Sequence, residues 1–331
     1  APAPNIPLDT DDGPLVYERN QEVYSTNAWY PAEPVRLSDL RKIRGTDVVV
    51  LGITPFQYNP VTRELIVYRD IEVEVTFSGG NGHFGEDRLR SRWWDPIMED
   101  AILNHDVLPE IDYSERLQNL DPSENTDYEY VIITPDDPVY KAWADSIKMW
   151  RTLQGIPTGV FTTTEVGGNN TSAIETFLNN AYNNWTIPPA AFLLIGDYGS
   201  SGNTIISPIW DNYCASDNIY ADVDADALPD MAHARMTAQD ATQLEAMVTK
   251  LLDHERNPPT NPGYYNNPIT ALGWQTPRWF QICSEVVGGF WKHVQGKTPV
   301  RINAIYSGTP GTQWSSNQNT YMVTDYFGPN G

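Results

Sequence analysis

The sequence predicts an α/β domain, with a largely parallel sheet and flanking helices, over residues 128–331, preceded by an antiparallel β-sandwich over residues 1–115. Before residue 115, strand patterns follow one another without an intervening helix, which is typical of antiparallel sheets. After residue 128, apolar runs alternate with helical patterns, which indicates parallel strands joined by right-handed crossovers. The polar, proline-containing residues 116–127 are predicted to be a linker between the two domains.

The strand patterns of the N-terminal domain are clearest between residues 48 and 77. Residues 48–51 and 65–68 are apolar runs separated by a turn sequence at Asn59-Pro60. Residues 71–77 then alternate between apolar and polar side chains, and this period of two predicts a strand with one buried face.

In the second domain, short apolar runs alternate along the chain with segments that have apolar residues at helical spacing. Strands are predicted at residues 130–133, 159–161, 191–195, 279–283 and 300–306. Apolar residues at helical spacing predict helices within residues 138–154, 174–181 and 240–252. Asp136-Asp137-Pro138 is a typical helix start, and Gly155 is a typical stop.

Acidic residues outnumber basic ones by 43 to 21, which gives a formal net charge of −22. So acidic a chain excludes nucleic acid as a partner, because phosphates require a surface rich in Lys and Arg. No apolar run approaches the roughly 20 residues of a membrane span. The charge balance fits an acidic secreted protein, or one that concentrates cations.

The densest group of chemically active side chains is an acidic segment, residues 217–230, which we call the acidic loop. Its carboxylates are Asp217, Asp222, Asp224, Asp226 and Asp230. Like charges at this spacing repel one another unless solvent or a cation lies between them, and calcium prefers hard oxygen ligands of this kind. Spacing alone leaves a calcium loop and a solvated acidic loop both open.

Two further carboxylates follow predicted strands directly. Asp197 comes after strand 191–195, and Glu285 comes after strand 279–283, at the strand ends where ligands gather in parallel sheets. Asp197 could instead be a turn or cap residue, and Glu285 could cap a helix. The residues show no complete nucleophile–base pair. The chain has two cysteines, Cys214 and Cys283, and whether they pair stays open.

Several segments resemble the gingipain-type cysteine peptidases, and the lysine-specific type more than the arginine-specific type. The segments are Tyr130–Thr134, Gln154-Gly155, Thr163–Gly167, Phe192–Asp197, Tyr220–Met231 and Arg235-Met236. The similarity covers roughly residues 128–306, and residues 15–115 resemble the β-sandwich prodomain of that family. The resemblance implies a caspase-like α/β fold and a secreted or cell-surface endopeptidase that cleaves proteins or peptides after a basic residue.

In that family the catalytic His and Cys lie on later strands, so the resemblance places both beyond residue 331. We therefore expect this chain to be the prodomain plus an incomplete, N-terminal part of the peptidase domain, one piece of a zymogen. Its partners would then be the remaining C-terminal part of the same peptidase and protein or peptide substrates.

The resemblance also implies roles for particular residues. Asp197, Asp224, Asp226, the carbonyl of Leu228 and Asp230 match a calcium site, with Asp230 in place of a Glu and Ala225 in place of a Gly. Glu285 matches the acid that orients the catalytic histidine, which lies outside this chain. Arg116, in the linker, is the candidate for a prodomain plug or a processing cut, with an ordinary solvated arginine as the alternative.

Two functions of other classes compete with the zymogen. One is a non-catalytic, calcium-dependent binding protein, and the other is a protease-inhibiting module whose sandwich blocks another enzyme. A His-Gly pair followed by a strand and a Cys beyond Gly331 would favour the enzyme.

Overall fold

The structure, a computed structural model, describes residues 4–5, 16–17, 19–79, 85–114, 127–272, 279–304 and 314–315. The helices are α1 (Gln21–Ser25), α2 (Asp95–Ala101), α3 (Pro138–Leu153), α4 (Thr171–Asn184), α5 (Asn218–Ala221), α6 (Ala241–Arg256), α7 (Pro262–Asn266) and α8 (Trp279–His293), with a 3₁₀ turn at His105–Val107. Among the helices of these described ranges, none is long and apolar enough to span a bilayer.

The strands are short, and most of them form two-stranded pairs. They are β1 (Pro4–Asn5), β2 (Val16–Tyr17), β3 (Val35–Leu37), β4 (Arg41–Ile43), β5 (Thr46–Val48), β6 (Leu51–Ile53), β7 (Phe56–Asn59), β8 (Glu64–Val67), β9 (Tyr130–Thr134), β10 (Thr158–Thr162), β11 (Ala191–Ile195), β12 (Asp197–Tyr198), β13 (Thr204–Ile205), β14 (Ile209–Trp210), β15 (Cys214–Ala215), β16 (Ala232–Met236), β17 (Ile269–Leu272), β18 (Val300–Ala304) and β19 (Trp314–Ser315).

The chain folds into two compact units, which we describe separately. One comprises residues 1–33, 56–67 and 258–331, and the other comprises residues 34–55 and 68–257. The second unit, which we call the sheet unit, therefore combines residues from before residue 115 with residues from after residue 127.

A four-stranded sheet in the order β10-β9-β11-β16 forms the centre of the sheet unit. All of its pairings are parallel. Helix α3 connects β9 to β10, and α4 connects β10 to β11, as expected of parallel strands that need long crossovers. The predicted parallel sheet with flanking helices is therefore confirmed.

Alternate residues of the central strands face opposite layers. Ile133 of β9 packs with Leu178 of α4 on one side, whereas Ile132 packs with Ile147 of α3 on the other. Leu244 and other residues of α6 share the second layer. Two apolar layers around one sheet explain why β9 and β11 carry continuous apolar runs rather than alternating ones.

The helix boundaries follow from capping chemistry. The Asp137 carboxylate accepts hydrogen bonds from the backbone N–H groups of Val139 and Tyr140, 2.8 and 3.1 Å away, and Pro138 occupies the first turn. At the other end Gly155 adopts a φ of +75°, a left-handed conformation that ends the helix without a Cβ clash. The start and stop that the sequence predicts for α3 are thus both present.

In the N-terminal segments the described strands form antiparallel pairs. In the sheet unit β3 pairs with β6 and β4 pairs with β5, and in the other unit β7 pairs with β8. The antiparallel pairing is as expected, but within the described ranges these are separate pairs, so the β-sandwich stays a prediction.

Two predicted strands are absent, and the strand pattern at residues 48–51 is divided between the end of β5 and the start of β6. Residues 71–77 form no strand, although Ile71, Val73 and Val75 are half-buried and the residues between them exposed, because alternation makes a strand only where a partner edge is available. Residues 279–283 begin helix α8 (Trp279–His293) instead. A five-residue apolar run suits either structure, and here the helical spacing continues to Phe290.

Candidate functional site

The carboxyl-terminal edge of the four-stranded sheet is one candidate location. Strand β10 lies on one side of β9, and the next strand along the chain, β11, lies on the other side. This reversal makes the carboxyl ends of β9 and β11 the switch point of the sheet, the place where open α/β sheets bind ligands. Asp197 lies at this edge, two residues beyond the end of β11.

The carboxylate of Asp197 has two partners within the protein. Its Oδ1 accepts from the backbone N–H of Tyr198 at 2.8 Å, and its Oδ2 accepts from Nε2 of Gln239 at 3.0 Å. These hydrogen bonds, the one to Tyr198 first, lower the pKa of Asp197 below its ordinary value. The geometry matches a turn carboxylate, which is the alternative that the sequence left open.

The acidic loop ends at the opposite edge of the sheet. It leads into the amino end of β16, where the N–H of Ala232 donates to the carbonyl of Ala190. The five-residue strands rise about 3.3 Å per residue, so roughly 15–20 Å separates this edge from the carboxyl edge. The structure therefore does not bring Asp197 into one site with Asp230, and this corrects the expected five-ligand set.

Three carboxylates of the acidic loop do converge. One oxygen from each of Asp222, Asp224 and Asp226 lies within 4.8 Å of the others. Asp222 is the member that the family resemblance did not include, although its place in the acidic run was visible in the sequence. Leu228 contributes its N–H, which donates to Oδ1 of Asp226 at 2.8 Å.

The backbone of the loop holds these carboxylates in place. Oδ1 of Asp222 accepts from the N–H of Asp226 at 3.0 Å, and its Oδ2 accepts from the N–H of Ala227 at 2.9 Å. Ala225 and Ala227 have φ values of +62° and +73°, which strain a residue with a Cβ. The left-handed geometry at Ala225 explains why a glycine would suit this position.

The convergence has an electrostatic cost. Partial burial, followed by repulsion from Asp226 and Asp222, raises the pKa of Asp224 above its ordinary value. Carboxylate oxygens gathered in this way are the donors that calcium prefers, and a cation would remove the repulsion. The donor set of the loop therefore fits calcium.

Asp230 lies apart from this cluster and is buried, with 2% of its surface exposed. Its Oδ1 accepts from the hydroxyl of Tyr182 at 3.2 Å, and its Oδ2 accepts from the N–H of Val223 at 3.0 Å. Burial raises the pKa of Asp230 to about 6. In this arrangement Asp230 connects the loop to helix α4 rather than completing a ring of metal ligands.

Arg235, which the sequence analysis named within a segment of family resemblance but gave no role, fixes the start of the acidic loop. Its Nε and Nη2 donate to the two oxygens of Asp217 at 2.7 and 2.8 Å, and its Nη1 donates to the carbonyls of Gly196 and Ile205. The ion pair therefore joins the loop to the turn after β11. An arginine two residues after His233 in a short strand was the only signal in the sequence, and it does not identify the ion pair.

The remaining predicted residues are less informative. Arg116 lies outside the described residues, and so does the side chain of Glu285. The backbone of Glu285 belongs to helix α8, so it does not follow a strand. Cys214 and Cys283 are both free and exposed, so no disulfide joins them.

Comparisons with known proteins define the class. Residues 123–325 match the family model of peptidase family C25, and residues 1–104 match the model of the C25 propeptide. The first match covers more than half of the chain, so the chain belongs to peptidase family C25. The gingipain-type resemblance read from the sequence is confirmed.

Particular relatives come from Porphyromonas gingivalis. Lys-gingipain is 28% identical over 283 residues, which are 80% of this chain and 15% of that relative. Gingipain R2 is 24% identical over 255 residues, covering 75% of this chain and 32% of the relative. The chain thus spans less than a third of the length of each of these relatives.

Among solved structures, the crystal structure of the Arg specific cysteine proteinase gingipain R aligns with a TM-score of 0.41. The identity is 17%, and the alignment covers 56% of this chain and 43% of the other.

Proposed function

We propose that this chain is the propeptide and the first part of the catalytic domain of a secreted or cell-surface cysteine endopeptidase zymogen. The observation that carries the proposal is the succession of two family matches in one chain, the C25 propeptide and then peptidase family C25. The parallel sheet would be the first part of a caspase-like catalytic domain. Cleavage after a basic residue is supported by the kinship with Lys-gingipain and gingipain R2.

The catalytic His and Cys would then lie beyond residue 331. The test compares the 331-residue chain with the longer gene product, using peptide substrates that carry lysine, arginine or alanine before the scissile bond. We expect hydrolysis by the longer product alone, with a preference for a basic residue, and its loss after thiol alkylation. Hydrolysis by the 331-residue chain would overturn the placement of the dyad.

Cys214→Ser and Cys283→Ser are matched controls, since both thiols are exposed and alkylation will reach them. Both variants of the longer product should keep their activity. Calcium-dependent ligand binding without any hydrolysis by the longer product would favour the binding module instead. Inhibition of another protease by an inactive longer product would favour the inhibitor.

The acidic loop would hold calcium through Asp222, Asp224 and Asp226. When bound, the ion would neutralise the three carboxylates and fix the loop that precedes β16. Oxygen donors, close spacing and the raised pKa of Asp224 support this proposal.

Two roles rest on the family resemblance. Arg116 would plug the catalytic cleft or mark a processing cut, and Arg116→Gln should then change processing or zymogen activity. If neither changes, Arg116 has no such role. Glu285 would orient the catalytic histidine, and the strand-end argument for it no longer applies, because it lies within α8.

A further inference from the structure

A buried arginine joins the propeptide segment to the peptidase segment within the sheet unit. Arg44 lies in the turn between β4 and β5, and none of its surface is exposed. Its Nη1 donates to the carbonyl of Pro189 at 2.7 Å and to that of Asp230 at 3.0 Å. Its Nε donates to the carbonyl of Leu89 at 2.9 Å. Arginine is almost never fully buried unless it is paired, so this position is exceptional for a surface hairpin.

Aromatic rings complete the surroundings of the guanidinium. The Cζ atom of Arg44 lies 5.0 Å from the ring centroid of Tyr182 and 5.8 Å from that of Trp94, within cation–π range. Burial lowers the pKa of Arg44 to about 10, while Tyr182 and the carboxylate of Asp230 counteract that shift. The side chain therefore remains cationic at neutral pH.

The two segments contribute different parts of this environment. Pro189, Asp230 and Tyr182 belong to the segment that matches the peptidase family, whereas Leu89 and Trp94 belong to the segment that matches the propeptide. We call the first three residues the arginine socket. Trp94 packs beside the socket, and its Nε1 donates to the carbonyl of Ala190 at 2.8 Å.

Three other arginines of the propeptide segment also donate hydrogen bonds to backbone carbonyls of the peptidase segment. Arg41 donates to the carbonyl of Asp226 at 2.6 Å, and Arg88 donates to the carbonyls of Tyr182 and Trp185 at 2.8 and 3.1 Å. Arg92 donates to the carbonyl of Gly155 at 2.6 Å. Side chains of Arg41, Arg88 and Arg92 are partly exposed, so Arg44 is the contact from which water is fully excluded.

We propose that Arg44 anchors the propeptide segment to the peptidase segment, and that the arginine socket selects arginine over lysine. Nη1 of the guanidinium donates to both carbonyls of the socket, while Nε donates to the carbonyl of Leu89 and the planar face meets Tyr182. The single nitrogen of a lysine ammonium cannot occupy both donor positions at once and has no planar face. Loss of the donor leaves two buried carbonyls unsatisfied. This proposal rests on the proposed zymogen function in one respect, namely that the propeptide and peptidase segments are separated by cleavage.

The test separates anchoring from folding. A recognition site for a sequence-specific protease is placed between residues 114 and 127 of the full chain, the chain is cut, and the dissociation constant of the two pieces is measured by dilution. We expect Arg44→Met and Arg44→Lys each to weaken the association by at least about 30-fold. Arg36→Met, at an exposed arginine of β3, should stay within about threefold of wild type.

A second pair of variants acts from the peptidase side, in case Arg44→Met does not fold. Tyr182→Leu removes the ring from the socket and should weaken the association, whereas Tyr182→Phe keeps the ring and should weaken it less. Wild-type affinity in cut chains that carry Arg44→Met or Tyr182→Leu would overturn the anchor, and wild-type affinity in Arg44→Lys would overturn the selection of arginine over lysine. The measurement needs no peptidase activity, so an inactive longer gene product would refute the proposed function and leave this result standing.

Discussion

Tyr182 and Asp230 are joined by a hydrogen bond of 3.2 Å between the phenolic hydroxyl and Oδ1, and both side chains are buried. The bond links helix α4 to the end of the acidic loop, and both residues contact the guanidinium of Arg44. It therefore places a carboxylate with a raised pKa at the junction of three segments that are distant in sequence.

Asp230 should make stability fall as the pH rises. Its folded pKa of about 6 exceeds an unfolded value near 4, so the folded state binds the proton more tightly between these pH values. Without metal, Asp230→Asn should raise the free energy of unfolding by up to about 3 kcal/mol at pH 7 and have little effect at pH 4. Urea unfolding in the presence of a chelator measures the free energy of unfolding at both pH values. An increase of equal size at pH 4 and pH 7 would contradict the prediction.

Ala227→Gly should stabilise the chain. Ala227 has a φ of +73°, a conformation that costs a residue with a Cβ but not glycine. The free energy of unfolding should rise by roughly 0.5–1 kcal/mol. The matched control is Ala142→Gly in helix α3, which should lower it by about 1 kcal/mol. A loss of stability in Ala227→Gly would show that the loop adopts a different backbone.

Calcium should raise the melting temperature of the metal-free chain. At a concentration 100 times the dissociation constant, the ion adds about 2.7 kcal/mol to the free energy of unfolding. Asp224→Asn should abolish the shift, whereas Asp253→Asn, at an exposed site on α6, should keep it. Asp197→Asn should keep it too, because Asp197 lies at the other edge of the sheet. An unchanged shift in Asp224→Asn would reject the three-carboxylate site.

Glu285→Gln should lower turnover in the longer gene product and leave its fold intact. A carboxylate that holds a catalytic imidazole keeps it in the correct tautomer and stabilises the imidazolium. The loss should reach about tenfold or more, with Lys292→Gln on the same helix as the control. Wild-type kcat in Glu285→Gln would remove the residue from the mechanism.

Three strands of the central sheet, β9, β10 and β11, could be predicted from sequence because most of their residues are buried, whereas β16, which has exposed residues and an arginine, was not predicted. Runs such as residues 191–195 are wholly apolar, and Gly155 and Asp137 mark the helix between the first two strands. Such local signals need no knowledge of the rest of the fold. The strand predicted at residues 279–283 was wrong because a five-residue apolar run does not by itself distinguish a strand from a helix.

The candidate site was less predictable, because it depends on tertiary placement. The family resemblance put Asp197 and Asp230 in one metal site. Asp197 follows β11 and Asp230 precedes β16, so they lie at opposite edges of a parallel sheet. No local sequence pattern indicates that Arg44 is buried, because two of the carbonyls that accept its hydrogen bonds belong to the distant residues Pro189 and Asp230. Contacts of that sequence separation appear only when the segments are folded together.

The most direct test of the zymogen proposal is to find the cysteine that reacts as the nucleophile. The longer gene product is activated and treated with a lysyl or arginyl acyloxymethyl ketone, and the labelled peptide is identified by mass spectrometry. The label should sit on a cysteine beyond residue 331 and be absent when a basic peptide substrate competes. Substrate-protected labelling of Cys214 or Cys283 would contradict it.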